Sequence, residues 1–132
     1  MKKSELGITA SLEDYLEAIY FLSKENSDVR VTDIATQLGI SKPSVNRAIN
    51  TLKSQEYVLH EHYGSLRLTE LGLKVAQDVA KRHMVLTNFL CDVIGVSSDI
   101  AEDEACLIEH YLSSDTIEKL SIYTDKVLNK KV

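Results

Sequence analysis

Residues 32–53 read TDIATQLGISKPSVNRAINTLK and predict two short helices separated by a tight turn. Apolar residues recur at helical spacing on both sides of Gly39, a residue suited to the left-handed conformation that ends a helix. Ser41 is a good N-cap for the second helix, and Pro43 lies in its first turn, where a missing amide costs nothing. Two helices joined in this way form a helix-turn-helix motif, whose second helix enters the major groove of DNA.

The second helix is expected to expose a polar face with the chemistry of a DNA reader. Arginine suits guanine edges or phosphates, asparagine suits adenine, and lysine and serine suit phosphates. The residues predicted to contact DNA are Lys42, Pro43, Ser44, Asn46, Arg47, Asn50 and Lys53. A merely solvated face is the alternative, because most amphipathic helices have one, and this helix alone does not decide between the two.

The residues that follow this helix favour the DNA-binding interpretation. Two short β-prone runs, residues 57–61 and 65–69, flank a Tyr-Gly pair and predict a hairpin. A hairpin directly after a recognition helix is a wing, in which we expect His60 and His62 to be solvated. The sequence therefore predicts a winged helix-turn-helix.

Composition and charge are compatible with this prediction. Apolar residues make up 44% and charged residues 27% of the 132, the balance of an ordinary globular protein. The net charge of −5 is unusual for a DNA binder, but between residues 40 and 55 the only charges are Lys42, Arg47 and Lys53, all positive. No apolar run is long enough to span a membrane, and the first residues lack the apolar core of a signal peptide, so we expect a cytoplasmic protein.

A second feature is the run CLIEH at residues 106–110, which sets a thiol, a carboxylate and an imidazole at i, i+3 and i+4. On a helix predicted to reach Leu112 these side chains share one face, so three transition-metal donors converge. Cys106 has ligand-type neighbours, whereas Cys91 lies in an apolar stretch and is expected to be a buried thiol. The run predicts a metal site.

Further helices are predicted around these two features. One begins near Ser11, and a long one covers residues 69–94 and is closed by Gly95. The CLIEH helix begins at residue 97 or 98, and a last helix is capped by residue 114 or 115. Helices thus account for most of the chain.

The chain as a whole resembles the diphtheria-toxin-repressor family, which includes iron-dependent repressors and the shorter manganese transport regulators. The resemblance rests on four separated motifs in the family's order. They are SLEDYLEAIY at residues 11–20, SKPSV at residues 41–45, the pair Arg82-His83, and DEAC at residues 103–106 before Glu109-His110 and Ser113. The length is similar to that of the manganese branch, which lacks the SH3-like domain of the iron branch.

This resemblance implies a homodimeric repressor that binds double-stranded operator DNA with Mn²⁺ or Fe²⁺ as corepressor and controls genes of metal uptake and homeostasis. The implied fold is mainly α, with a winged helix-turn-helix DNA-binding domain at residues 1–72. A helical metal-binding and dimerisation domain follows at residues 73–132, and the long helix is shared between the two. No catalytic residue, membrane partner or small organic ligand is expected.

The metal ligands that the resemblance implies come from both ends of the chain. They are Asp14, Glu17, His83, Glu102, Cys106, Glu109 and His110. Cys106 stands where the manganese branch has a glutamate and the iron branch a cysteine, and Glu102 stands where the iron branch has an ancillary histidine. Carboxylates favour Mn²⁺ and a thiolate softens the site toward Fe²⁺, with Co²⁺ or Zn²⁺ as substitutes in vitro, so both ions stay open.

Two other functions are compatible with parts of the sequence. A metal-independent winged-helix regulator could sense oxidants at Cys106, with the carboxylates merely solvated. A small metallohydrolase could hold a catalytic ion with carboxylates and histidine. Against the hydrolase, the sequence shows no separate general base and no phosphate-binding glycine loop.

Overall fold

The structure is a computed structural model that describes residues 8–61 and 63–129. His62, which was assigned to the wing from the sequence, lies outside the described residues. Within the described part, no helix is both long enough and apolar enough to cross a membrane.

Helices make up most of the described chain, and the predicted mainly α class is confirmed. The elements are α1 (Ala10–Glu25), α2 (Val31–Leu38), α3 (Lys42–Ser54), β1 (Val58–His60), β2 (Leu66–Leu68), α4 (Glu70–Asn88), a π-helix (Phe89–Ile94), α5 (Ser98–Ile108) and α6 (Ser114–Asn129).

The chain divides into two compact units. The N-terminal unit comprises Ser11–Asp78, and the C-terminal unit comprises residues 8–10 with residues 79–129. The division falls within α4. The domain boundary at residues 72/73 stays a prediction.

The turn between α2 and α3 forms as the sequence predicts. Gly39 adopts φ 66° and ψ 37°, the left-handed conformation. The hydroxyl of Ser41 accepts a hydrogen bond from the amide of Ser44 at 3.4 Å and so caps α3. The side chains that α3 turns into the core, each no more than 1% exposed, are Val45, Ile49 and Leu52.

The wing is a two-stranded antiparallel hairpin, with Val58 opposite Leu68 and His60 opposite Leu66. The amide of Leu66 also donates to the carbonyl of Val29 at 2.7 Å, so the segment before α2 extends the hairpin. This pairing connects the wing to the start of the helix-turn-helix. The buried apolar side chains of the N-terminal unit include Leu16, Ile19, Val29, Ile34, Val45, Ile49, Leu52, Val58, Leu66, Val75 and Ala76.

Helix α4 begins in close contact with the segment that precedes the wing. The amide of Thr69 donates to the carbonyl of Tyr57 at 3.1 Å, and its hydroxyl donates to the carbonyl of Glu56 at 2.7 Å. The same hydroxyl accepts from the amide of Gly72 at 3.0 Å and caps the helix. A Cβ atom on Gly72 would lie 2.0 Å from the carbonyl oxygen of Tyr57, so only glycine fits there.

The long helix differs from its prediction in the last turn and a half. Regular α-helical structure ends at Asn88, and Phe89–Ile94 form a π-helix that Gly95 terminates at φ 87°. A π-helix bonds each amide one residue further back than an α-helix does, and the apolar spacing alone does not distinguish them. Within this segment Cys91 is half-buried, so the prediction of a buried thiol is wrong.

The end of α5 also differs from its prediction. The helix was expected to reach Leu112, but it stops at Ile108. Ser113 caps α6 instead of the predicted residue 114 or 115, since its hydroxyl accepts from the amide of Thr116 at 3.1 Å. Residues 109–112 therefore form a turn, and the Glu-His pair leaves from that turn and not from the helix.

The core of the C-terminal unit joins three of its helices. The buried members are Val85, Leu86, Ala105 and Ile117, and Leu112 and Leu120 pack against them. This core holds α4 beside α5, the two helices on which the predicted metal ligands of this unit depend.

Candidate functional site

Three predicted metal ligands meet in the C-terminal unit. His83 on α4, Cys106 on α5 and Glu109 in the turn each offer one donor atom, and these atoms lie within 4.8 Å of one another. Because metal–ligand bonds are about 2.0–2.3 Å long, small side-chain movements bring all three onto one ion. An imidazole, a thiol and a carboxylate together are a donor set that fits a divalent transition-metal ion.

The two nitrogens of His83 have different neighbours. Nδ1 lies 3.2 Å from Oε2 of Glu109 and 3.7 Å from Sγ of Cys106. Nε2 lies 2.7 Å from Oε1 of Glu102. Glu102 therefore contacts the far side of the ring, in the arrangement by which a carboxylate orients a metal-binding histidine. The structure brings Glu102 to the site without placing it among the three converging donors.

The electrostatic potential at His83 is strongly negative. The hydrogen bond with Glu109 raises the pKa of His83 to about 9, against the lowering effect of burial, and Glu102 adds to the increase. A potential that holds a proton on the ring also attracts other cations.

Glu109 is fully buried, and His110 beside it is only 3% exposed. Oε1 of Glu109 lies 3.7 Å from Nε2 of His110, while Oε2 faces His83. A buried carboxylate is costly unless positive charge compensates it. Glu109 has an imidazole beside each of its oxygens, and it is the central acid of the cluster.

The remaining predicted ligands, Asp14 and Glu17, lie in the N-terminal unit on α1, and both are half-buried. They are three residues apart, so they share one side of the helix. Sequence reasoning assigned no role to Arg82, which is only 3% exposed. Its one sequence signal was its place beside His83 in the Arg-His motif.

The predicted DNA-contacting residues lie on the face of α3 opposite its core. Ser44 is half-buried, and Arg47 donates from Nη2 to its hydroxyl at 3.1 Å. The exposed residues of the set are Lys42, Pro43, Asn46, Arg47, Asn50 and Lys53. This side of the helix is free of buried apolar side chains, although its contact with DNA stays a prediction.

Comparison with known proteins assigns both parts of the chain. Residues 7–66 match the family described as "Iron dependent repressor, N-terminal DNA binding domain". Residues 69–129 match "Iron dependent repressor, metal binding and dimerisation domain". The HTH-type transcriptional regulator MntR of Bacillus subtilis is 38% identical over 112 residues, 85% of this chain and 78% of the relative. The chain belongs to the diphtheria-toxin-repressor family.

Other relatives of the family agree with this assignment. An HTH-type transcriptional regulator of Methanocaldococcus jannaschii is 35% identical over 124 residues, which cover 93% of this chain and 99% of the relative. The manganese regulator SloR matches in structure with a TM-score of 0.77 and 28% identity, over 98% of this chain and 55% of that one. A manganese-dependent transcriptional repressor solved with manganese gives a TM-score of 0.80 and 27% identity, over 86% and 52%.

Membership of the family confirms three predictions. The winged helix-turn-helix followed by a helical domain is the family's fold, the chain is a transcriptional regulator and not an enzyme, and a divalent metal ion is the family's cofactor. The chain spans about half the length of the solved structures that it matches.

Proposed function

We propose that this protein is a repressor that binds operator DNA as a homodimer when Mn²⁺ or Fe²⁺ is bound, and that it controls genes of metal uptake. The convergence of His83, Cys106 and Glu109 in a unit of the metal-binding and dimerisation type supports this proposal most directly. Binding to operator DNA implies that it acts in the cytoplasm.

The proposed ion is held by residues of both units. His83, Cys106 and Glu109 supply the donors described above, with His110 beside them and Glu102 orienting the imidazole. Asp14 and Glu17 complete the set from α1. When bound, the ion compensates the negative charge of these carboxylates and so stabilises their convergence.

A homodimer is supported by the apolar side chains that the C-terminal unit leaves exposed. Leu107 is 70% exposed and Tyr111 is 50% exposed, at i and i+4. The other large members of this set are Met84, Ile94, Ile100, Ile108, Ile122 and Tyr123. A contiguous exposed apolar patch is typical of a protein interface, and these side chains are the ones in this unit that could form it. In the proposed dimer a second copy covers part of them.

Metal removal is the direct test of the proposed function. Two recognition helices must lie about 34–36 Å apart to enter successive major grooves. Side chains of both units on one ion would restrict that spacing, so we expect Mn²⁺ or Fe²⁺ to raise operator affinity by about 5–150-fold, the usual size of such coupling.

The measurement is fluorescence anisotropy on a duplex selected from a random pool by the Mn²⁺-loaded protein. It is made anaerobically, with each ion and with chelator, on protein whose mass by light scattering equals two chains of 14.8 kDa. Equal affinity in chelator would contradict the proposal.

The redox alternative gives the opposite result in the same experiment. Cys106 is exposed, and its sulfur lies 3.7 Å from a ring nitrogen of His83, so an oxidant in solution can reach the thiol. A redox sensor would release DNA on peroxide treatment whether or not metal is present. Substitution Cys106→Ser would then abolish the peroxide response, whereas under the proposed function its first effect is a loss of metal affinity.

Substitutions on α3 separate base reading from phosphate contact. Arg47→Ala is expected to cost about 1–3 kcal/mol on the selected duplex and to relax the preference at one base pair. Lys53→Ala is expected to weaken binding to every duplex similarly and to reduce the slope of log affinity against log salt by about 1. Competition binding at several salt concentrations distinguishes them. If both variants weakened all duplexes alike, Arg47 would not be the base reader.

A further inference from the structure

Arg82 is a charged side chain buried in the C-terminal unit, directly before His83 on α4. Its guanidinium extends to the turn that follows α5. Nη1 donates to the carbonyl of Glu109 at 3.2 Å and also to the carbonyl of Leu112, and Nη2 donates to the hydroxyl of Ser114 at 3.3 Å. One side chain therefore contacts both ends of the turn formed by residues 109–112 and the first residue of α6.

The chemistry of an arginine suits this position. The last carbonyls of a helix have no partner within the helix, and they form the negative end of its dipole. A guanidinium supplies both positive charge and several donors in a rigid planar arrangement, whereas lysine offers a compact point charge. Arg82 can therefore hold two carbonyls of the turn and the hydroxyl of Ser114 in one arrangement at once.

Glu109 is contacted at both its side chain and its backbone by consecutive residues of α4. Nδ1 of His83 lies 3.2 Å from its carboxylate, and Nη1 of Arg82 lies 3.2 Å from its carbonyl. The amide of Glu109 still bonds to α5, at the carbonyl of Ala105, and α5 ends one residue earlier, at Ile108. Arg82 thus holds the carbonyl of this central acid just beyond the end of the helix.

We propose that Arg82 is a positioning residue, which fixes the backbone of Glu109 so that the carboxylate lies beside His83 and Cys106. This proposal rests on the proposed function in one respect, namely that the cluster binds a divalent ion. Arg82 does not itself contact the ion. It sets how well the donors converge, and therefore the affinity of the site and the geometry that the bound ion adopts.

Titration with Co²⁺ under anaerobic conditions tests this role, since a thiolate ligand gives Co²⁺ a charge-transfer absorption band. Arg82→Lys is expected to lower Co²⁺ affinity by about 10–100-fold, the usual cost of losing a group that supports a metal ligand. The absorption spectrum of the bound ion should change as well. Lys81→Met is the matched control, because Lys81 is the preceding residue and, among the described ion pairs, forms only an exposed one with Glu118 at 3.6 Å. It should leave affinity and spectrum unchanged.

Two measurements on the metal-free protein separate positioning from general stability. Amide hydrogen exchange over residues 109–114 should be faster in Arg82→Lys than in the wild type, while exchange in α3 is unchanged. A lower melting temperature combined with wild-type Co²⁺ affinity and spectrum would overturn the proposal. If Arg82→Lys does not fold, Ser114→Ala decides, since it removes one acceptor of the guanidinium. A weaker Co²⁺ site supports the proposal and an unchanged one overturns it.

The outcome for the wild type distinguishes this proposal from the proposed function. If wild-type protein binds neither Co²⁺ nor Mn²⁺, the proposed function fails, and the role of Arg82 fails with it. If the wild type binds Co²⁺ tightly and Arg82→Lys does so equally, only the role of Arg82 is wrong.

Discussion

Glu109→Gln is expected to lower the affinity for Mn²⁺ by more than about 100-fold, because loss of a group that merely supports a ligand already costs about 10–100-fold. The substitution keeps the shape of the side chain and removes only its charge. Both carboxylate oxygens face imidazoles, at 3.2 Å from His83 and 3.7 Å from His110. An amide at this buried position offers one neutral oxygen and cannot compensate the charge of the ion.

The measurement is isothermal titration of the metal-free protein with Mn²⁺, followed by operator binding at saturating Mn²⁺. The variant should bind the operator equally with and without the ion. Glu118→Gln is the control, since Glu118 is an exposed carboxylate of the same unit, paired only with Lys81 among the ion pairs described. Wild-type Mn²⁺ affinity in Glu109→Gln would show that the ion is held elsewhere. Circular dichroism of the metal-free variant verifies that it is folded.

Gly72→Ala is expected to destabilise the N-terminal unit by about 3 kcal/mol or more, at the upper end of what overpacking costs. Helix propensity alone predicts the opposite sign, since alanine in a helix is favoured over glycine by about 0.5–1 kcal/mol. The steric effect dominates because the new Cβ would lie 2.0 Å from the carbonyl oxygen of Tyr57. That oxygen is backbone and already accepts from the amide of Thr69 at 3.1 Å, so it cannot move without breaking this bond.

Urea denaturation monitored by circular dichroism measures this effect as a lower midpoint at a similar slope. Gln77→Ala is the matched control, because Gln77 is an exposed position of the same helix and loses no buried contact. It should change stability by less than about 0.5 kcal/mol. A Gly72→Ala variant as stable as the wild type would show that α4 can move away from the wing at little cost.

The parts of the fold that the sequence predicts well depend on local interactions. Gly39, Ser41 and Pro43 determine the conformation of residues within one helical turn of themselves. A short stretch of sequence is therefore enough to predict the helix-turn-helix. The hairpin is similarly local. The apolar spacing of α3 also separates its buried side from its polar side correctly, because one helix period decides both.

The parts that the sequence does not predict depend on contacts between distant residues. Helix α5 ends at Ile108, and the next residue, Glu109, accepts a hydrogen bond at its carbonyl from Arg82, 27 residues away in sequence. The need for glycine at position 72 comes from Tyr57, across the wing. Neither pairing produces a periodic pattern in the sequence. The π-helix contains no glycine or proline that would predict it.

The candidate site shows the same division. The spacing of Cys106, Glu109 and His110 pointed to metal chemistry, and the family resemblance added His83 and Glu102. Only the folded arrangement distinguishes the two nitrogens of His83 and assigns Glu102 to the far side of the ring. Which nitrogen faces the sulfur is a tertiary property that no sequence pattern encodes.

Helix α3 carries three cations in a chain whose net charge is −5, and this contrast affects how the protein searches DNA for its operator. Attraction to arbitrary DNA grows with the number of phosphates a protein neutralises, and the acidic remainder opposes it. A genome offers about 10⁶–10⁹ competing non-specific sites. Weak attraction to each of these sites leaves few protein molecules bound away from the operator. Such a regulator can be present at low copy number and still leave most of its molecules available to the few promoters that matter.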